Sequence, residues 1–363
     1  MTTESGLPRT VDALTADWLT AALSTRCPDI RVTNLAVDNI LWGTSTKVLV
    51  TAEYIGEGER PPPKLCIKGE FDERVRRDLG GVSITGTQVE ADFFNDLAPR
   101  LGVPLPRHWY GGSEPGMGIL VLDNLTALGA RFGTPTEPWS IELVAAGLEV
   151  LAALHGSTWN RLPWDVPWMK LGSPVVRTYH EFLVSKGHWD KHFTDPASFR
   201  LPPLLQDPER CLRALRNLWK HDDAVATCVI HGDAHLGNTC VDADGHPFFI
   251  DWAAPCVSCW AFDVSYFLAG SLTVADRRAS EVDLLRHYLE ALAARGGPSL
   301  AFKQAWDDYR RHHMHGMVWA TLPPTLQARD CVDAMSERYV AAVMDHDSLA
   351  LLEQTAAASP IAR

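Results

Sequence analysis

The apolar residues of this 363-residue chain change their period part way along it. Before Leu125 the apolar runs are short and strand-like. Lys47 to Tyr54 is rich in β-branched residues, Leu35 to Leu41 alternates at Leu35 and Val37, Lys64 to Gly69 follows the Pro61-Pro62-Pro63 loop, and Gly118 to Leu122 is a continuous buried run. Beyond it, Trp139 to His155, Val176 to Val184, Pro208 to His221, Ala279 to Ala294, Phe302 to Met317 and Cys331 to Leu349 space their apolar residues three or four apart, as helices do. Two helices interrupt the β-rich part: Ala16 to Leu23, capped by Thr15, and Thr87 to Leu97, ended by Pro99. The class this predicts is α+β, with a small β-rich lobe over 1–125 and a larger, mainly helical lobe over 126–363. A chain longer than roughly 100–200 residues is expected to divide in this way, and small ligands bind in clefts between lobes.

Composition narrows the function. With 46% hydrophobic and 21% charged residues the chain can build a sizeable core and is not a disordered segment. The formal net charge is −12 and the longest basic block is Arg74-Val75-Arg76-Arg77, which disfavours extended contact with nucleic acid or anionic lipid while leaving room for a local phosphate pocket. The eight scattered cysteines and the opening Met1-Thr2-Thr3-Glu4-Ser5 predict reduced thiols in a cytoplasmic protein. Cys256-x-x-Cys259 is a single close pair and reads as packing. The longest apolar stretch, Ile141 to Leu154, carries Glu142 and Glu149, so no membrane span is expected, and no protein-partner motif is evident.

One stretch of the helical part behaves differently. Val225 to Ile230 reads as a strand ending in His231-Gly232-Asp233, and Thr239-Cys240-Val241 and Pro247 to Ile250 flank the turn signal Asp242-Ala243-Asp244-Gly245. The second of these strands runs straight into Asp251. His231 to Asn238 places an Asp five positions before an Asn, the spacing of a kinase catalytic loop, and Asp251 follows thirteen residues after Asn238. Phosphoryl transfer needs these types: a carboxylate, Asp233, to orient the attacking hydroxyl and accept its proton, and hard oxygen ligands, Asn238 and Asp251, to hold Mg²⁺ on the nucleotide phosphates. His231 is counted with Asp233 and Asn238 as catalytic. Isolated loop aspartates are mostly turn and capping residues, so the reading draws on the rest of the chain.

Upstream, Lys68 closes the strand Leu65-Cys66-Ile67-Lys68, as a phosphate-pairing lysine does, and Glu90 lies twenty-two residues later in a helix from which it can hold that lysine. Gly43, Thr44, Ser45 and Thr46 sit between the first two strands, where a glycine-rich phosphate cover belongs, although only one glycine is present. There is no Walker A sequence.

With these parts in order, the chain resembles the aminoglycoside phosphotransferase and choline kinase superfamily, most of all its ecdysteroid-kinase-like branch. The resemblance rests on His231 to Asn238 followed by Ile250-Asp251-Trp252, on Val89-Glu90-Ala91-Asp92-Phe93-Phe94, on Leu120 to Leu125 and on Trp260 to Phe267, and it spans about Leu35 to Leu289. It implies a protein-kinase-like two-lobed fold, ATP or in some members GTP, Mg²⁺, and a hydroxylated small molecule as acceptor. It also implies an interlobe hinge at Leu120 to Leu125, whose Asp123 and Leu125 meet the nucleotide, and a structural role for Asp263. Trp252-Ala253 stands where protein kinases have Phe-Gly, so no activation loop requiring phosphorylation is expected. His235, inside the catalytic loop, is expected to make a structural hydrogen bond, one carboxylate already serving as base.

Two other functions were weighed. Asp233-Ala234-His235 is also a D-x-H pair, as in two-metal phosphoesterases, for which His312-His313 and Asp345-His346 would have to complete the metal sites. A non-catalytic kinase-fold module would normally lack the base or a metal ligand, and here Lys68, Asp233, Asn238 and Asp251 are all present. For the acceptor, Trp159, Trp164, Trp168, Tyr179, Trp189, Phe193 and Phe199 crowd the region Ser157 to Leu218, which favours an apolar hydroxylated molecule over a polycationic aminoglycoside.

Overall fold

The structure, a computed structural model, describes residues 6–43, 45–72 and 86–358. The chain divides into two compact units, the first made of Met1–Arg131, Val241–His246 and Ile250–Ala254, the second of Phe132–Cys240, Pro247–Phe249 and Pro255–Arg363. The break expected near Leu125 therefore falls a few residues later, and two short downstream segments belong with the first unit.

The first unit is built on an antiparallel sheet of β1 (Arg31–Leu41), β2 (Thr46–Ile55), β3 (Lys64–Gly69), β4 (His108–Glu114) and β5 (Met117–Asp123), in the order β1-β2-β3-β5-β4. Alternation sorts its faces. Val48, Val50, Leu65, Ile67, Ile119 and Val121 point into one core with Leu19 and Leu23 of helix α1 (Ala16–Leu23). Lys47 and Lys68, directly paired across β2 and β3, fall on the opposite face. Thr15 caps α1 as expected, its Oγ1 accepting the Trp18 N–H at 3.1 Å.

Three features of this unit differ from the sequence reading. Strand β4 was not anticipated because Gly111 and Gly112 interrupt its pattern. A Cβ on Gly111 would come within 2.9 Å of the Asn95 side chain, so the close approach requires the glycine. The single helix expected over Thr87 to Leu97 is α2 (Gly86–Asp92) followed by a π-turn over Phe93–Leu97, a widening common at functional sites. Pro99 lies in the closing 3₁₀ turn.

The second unit is mainly helical: α3 (Ile141–Thr158), α4 (Pro174–Leu183), α5 (Lys186–His192), α6 (Pro208–Val225), α7 (Ala261–Ser271), α8 (Val274–Ala294), α9 (Phe302–Gly316), α10 (Arg329–Asp345) and α11 (Ser348–Ala358). Leu215, Leu218, Met314, Met335 and Tyr339 belong to one large core. The helix expected to run from Cys331 to Leu349 is instead broken by Asp347, whose φ of 51° lies in the left-handed region. Strands β7 (Cys228–Ile230) and β10 (Cys256–Ser258) pair antiparallel, and β6 (Arg131–Phe132), β8 (Thr239–Val241) and β9 (Pro247–Phe249) form a small sheet in the order β6-β8-β9. The catalytic-loop sequence lies between β7 and β8.

Helix α3 revises the reading of the apolar stretch. By length and composition it could cross a membrane, though it is half buried within the protein, with Val144, Leu148, Leu151 and Leu154 inside. Core helices pass the same test.

Candidate active site

In the first unit the site begins with a buried cation. Lys68, one residue before the end of β3, has 4% of its surface exposed; its Nζ lies 2.5 Å from Glu90 Oε2 and 2.9 Å from Asp251 Oδ1. Burial alone would push the ammonium down, but the Asp251 and Glu90 carboxylates outweigh it and hold Lys68 above its ordinary value, so it stays charged. Glu90 is fixed from its other side by the Trp252 backbone N–H, donated to Oε1 at 3.1 Å, and the Trp252 ring stacks on Phe93 at 4.4 Å. These contacts explain why 250–254 joins the first unit. Asp251 has a φ of 64°, unusual for a residue with a side chain and tolerated by Asp better than by most; such strain concentrates at functional positions.

The other residues expected to meet a nucleotide are placed unevenly. Asp123, at the end of β5, uses its carboxylate to accept the Trp109 indole N–H at 2.7 Å and donates its backbone N–H to the Arg107 carbonyl at 3.0 Å. Leu125 opens a 3₁₀ turn capped by Asn124, and its carbonyl accepts the Ala130 N–H at 3.0 Å. Gly43, Ser45 and Thr46 form the β1–β2 turn, and Thr44 lies outside the described residues.

In the second unit, the loop after β7 is held from beneath by one carboxylate. Asp263 of α7, fully buried, accepts the His231 backbone N–H at 2.6 Å and the Gly232 N–H at 3.0 Å. His155 Nε2 stands 3.2 Å from the same carboxylate, and its Nδ1 is 2.9 Å from the Tyr288 hydroxyl. Gly232 has a φ of 80°, a turn glycine makes without cost. Above this support Asp233 is 44% exposed, and Asn238 Nδ2 donates to both its carbonyl and its Oδ2 at 2.9 Å. An Asn turned this way keeps its amide oxygen for a cation.

His231, expected among the catalytic residues, is fully buried, and its Nδ1 accepts the backbone N–H of Asp233 at 3.3 Å, a contact that shapes the loop. His235 Nδ1 accepts the Gly237 N–H at 3.0 Å, which fixes the proton on Nε2, 3.8 Å from Asp233 Oδ2. Sequence reasoning missed His155 and Tyr288. Asp263 lies 108 residues beyond His155 and Tyr288 133 residues beyond it, and only the Leu154-His155-Gly156 sequence at a helix end singles that histidine out.

The residues that a phosphoesterase would need are otherwise engaged. His312 gives both ring nitrogens to acceptors, Nδ1 to the Asp308 carbonyl at 2.6 Å and Nε2 to Asp222 Oδ1 at 2.7 Å. Burial opposes its charge, but the Asp222 carboxylate prevails and holds its pKa well above the usual value. Glu281, His313 and His346 approach within 4.8 Å of one another, yet the Arg277 guanidinium already lies 2.7 Å from Glu281 Oε2 and 3.2 Å from His346 Nε2. Asp345 is paired with Arg277 and Arg278.

A sheet-borne lysine locked to a helix glutamate in one unit, and an Asp-x-x-x-x-Asn loop hung from a buried Asp in a helical unit, define a phosphotransferase of the protein-kinase-like fold. Residues 88–302, more than half of the chain, match the model of the Phosphotransferase enzyme family, and the chain belongs to that family. No curated protein sequence matches it. Solved structures to which it is similar include the choline kinase LicA from Streptococcus pneumoniae, 13% identical over 91% of this chain and 98% of that one with a TM-score of 0.49. The macrolide 2′-phosphotransferase MphH from Brachybacterium faecium is 16% identical over 96% and 99%, with a TM-score of 0.42. The GDP complex of aminoglycoside 2′-phosphotransferase-IIIa is 13% identical over 94% and 98%, also at 0.42.

Proposed function

We propose that this phosphotransferase moves the γ-phosphoryl of ATP, or of GTP, onto a hydroxyl of a small apolar or aromatic molecule. The observation that carries the reading is Lys68 held charged between Glu90 and Asp251, because a lysine at a strand end, oriented by a helix glutamate, is the arrangement that pairs with the α- and β-phosphates. Asp233, half exposed at its tip and braced by Asn238, orients the acceptor hydroxyl and takes its proton. The nucleotide base lies against the backbone of Asp123 to Leu125, and Gly43 to Thr46 cover the phosphates.

Mg²⁺ fits the donors on offer. Lys68 is shared by two carboxylates and Lys47 reaches Asp251 only at 3.9 Å, so Asp251 keeps charge for a metal, and both Asp251 and the Asn238 amide oxygen are hard ligands. When bound, the ion would supply positive charge against the negative charge that builds on the phosphates.

The acceptor class follows from what surrounds each part of the second unit. His235 packs against Tyr266 at 6.0 Å and Trp319 at 5.2 Å between ring centroids, and burial first, then the Asp233 charge, raises the pKa of Tyr179. The segment expected to bind the acceptor carries a cavity of about 610 Å³, within the size range of small-ligand pockets, in which Trp189, Phe193 and Phe199 alternate with Asp190, Asp195 and Arg200. The rings support an apolar skeleton, and the polar groups between them would meet its hydroxyls. Within the superfamily, Val89 to Phe94 and Trp260 to Phe267 support the ecdysteroid-kinase-like branch. A cytoplasmic setting belongs to the proposal, with free thiols such as Cys228 and Cys259 pushed up in pKa by burial and hence unreactive. No nucleic acid, membrane or protein partner is invoked.

Coupled ADP release across a panel of hydroxylated compounds tests the acceptor class. Sterol-like and aromatic alcohols are expected to stimulate release more than aminoglycosides; the reverse ranking would refute the apolar-acceptor reading.

A further inference from the structure

Kinase phosphate covers close over the nucleotide with backbone N–H groups, because glycines let the chain approach the phosphates. The β1–β2 turn of this chain has only Gly43 for that purpose. Something else on the turn must supply positive potential and donors if it is to hold a triphosphate.

Two side chains there are placed to do so. Ser45 Oγ is buried and finds no hydrogen-bond partner among the described residues. Buried hydroxyls are nearly always bonded, so this orphan points to an acceptor that binds there. Lys47, two residues on, stands directly across from Lys68 in the β2–β3 register and on the same face of the sheet, whereas Thr46 between them faces the core with Val48 and Val50. Its side chain is 40% exposed and its Nζ lies 3.9 Å from Asp251 Oδ2.

That long, half-exposed pair is worth little, so Lys47 can leave Asp251 at small cost. Lys47 and Lys68 together balance Glu90 and Asp251, two charges against two, in the absence of nucleotide. Once a metal takes up the Asp251 carboxylate, the Lys47 ammonium is free to pair with a phosphate oxygen instead.

Resting on the phosphotransferase reading above, we infer that Lys47, with the Ser45 hydroxyl, is a second phosphate-binding element that stands in for the missing glycines. Lys47 guards Asp251 in the free enzyme and moves to the β- or γ-phosphate when the nucleotide arrives, while Lys68 remains locked by Glu90. A compact ammonium on a flexible stem suits such an exchange better than a rigid guanidinium fork.

Calorimetric titration of the full chain with MgATP and with adenosine tests the inference without knowledge of the acceptor. Lys47→Met is expected to weaken MgATP by about 10–100-fold, the loss of one charge-assisted contact, and to leave adenosine affinity unchanged. Lys47→Arg should regain part of that loss, and Ser45→Ala should weaken MgATP more mildly. Unchanged MgATP affinity in Lys47→Met overturns the inference, and so does an equal loss of adenosine, which would mean a disturbed fold rather than a lost phosphate contact. The underlying reading fails separately: wild-type protein that binds no MgATP, or Asp251→Ala that binds it normally, would remove the nucleotide site itself.

Discussion

Asp233→Asn is expected to lower turnover by about 10²–10⁴-fold while leaving MgATP affinity close to that of the wild type. The substitution keeps the shape of the side chain and its neighbourhood, where Asn238 Nδ2 reaches the Asp233 carbonyl at 2.9 Å independently of the carboxylate. Only the proton acceptor is lost. Asp251→Ala should behave in the opposite manner, abolishing Mg²⁺-dependent nucleotide binding, because it removes the carboxylate that both draws the metal and pairs with Lys68 at 2.9 Å. Steady-state kinetics beside calorimetry separates the two. Undiminished turnover in Asp233→Asn would falsify its role as base.

The second large effect concerns Lys68 and Glu90, which lie 2.5 Å apart with 4% and 1% of their surfaces exposed. Lys68→Met leaves Glu90 buried without its cation, a change that costs about 3–5 kcal/mol when one partner of a buried pair is removed. Glu90→Gln takes away the stranded charge. The double variant should therefore be more stable than Lys68→Met alone and hardly less active, so that a double-mutant cycle in both unfolding free energy and kcat/KM shows strong coupling. Independent surface charges would give effects well under about 1 kcal/mol that simply add. A cycle without coupling would detach Glu90 from the site.

What could be read from the sequence is what the sequence states locally. Thr15 announces a helix start, Lys68 closes a strand just before the loop that follows Gly69, and Asp233 and Asn238 carry their spacing in eight consecutive residues. Features that depend on distant partners stayed hidden. Glu90 and Trp252 are bonded across 162 residues, and nothing near either one reveals that 250–254 belongs with the β-rich unit. The complete burial of His231 and the Asp263 carboxylate that takes its backbone N–H depend on α7, thirty-two residues further on, and nothing in the motif itself announces them. Strand β4 and the π-turn at Phe93–Leu97 were lost for a different reason. Gly111 is there so that the Asn95 side chain and the Ala91 carbonyl can lie close, and packing of that kind erases the local pattern by which a strand is recognised.

The central claim, transfer of a phosphoryl group to a hydroxyl, is tested most directly by following ³¹P resonances in a mixture of MgATP, protein and the acceptor that most stimulates ADP release. The account predicts a new phosphomonoester signal that grows in step with ADP and is absent with Asp233→Asn. Inorganic phosphate as the sole product, or a phosphomonoester that instead disappears when supplied as substrate, would contradict it.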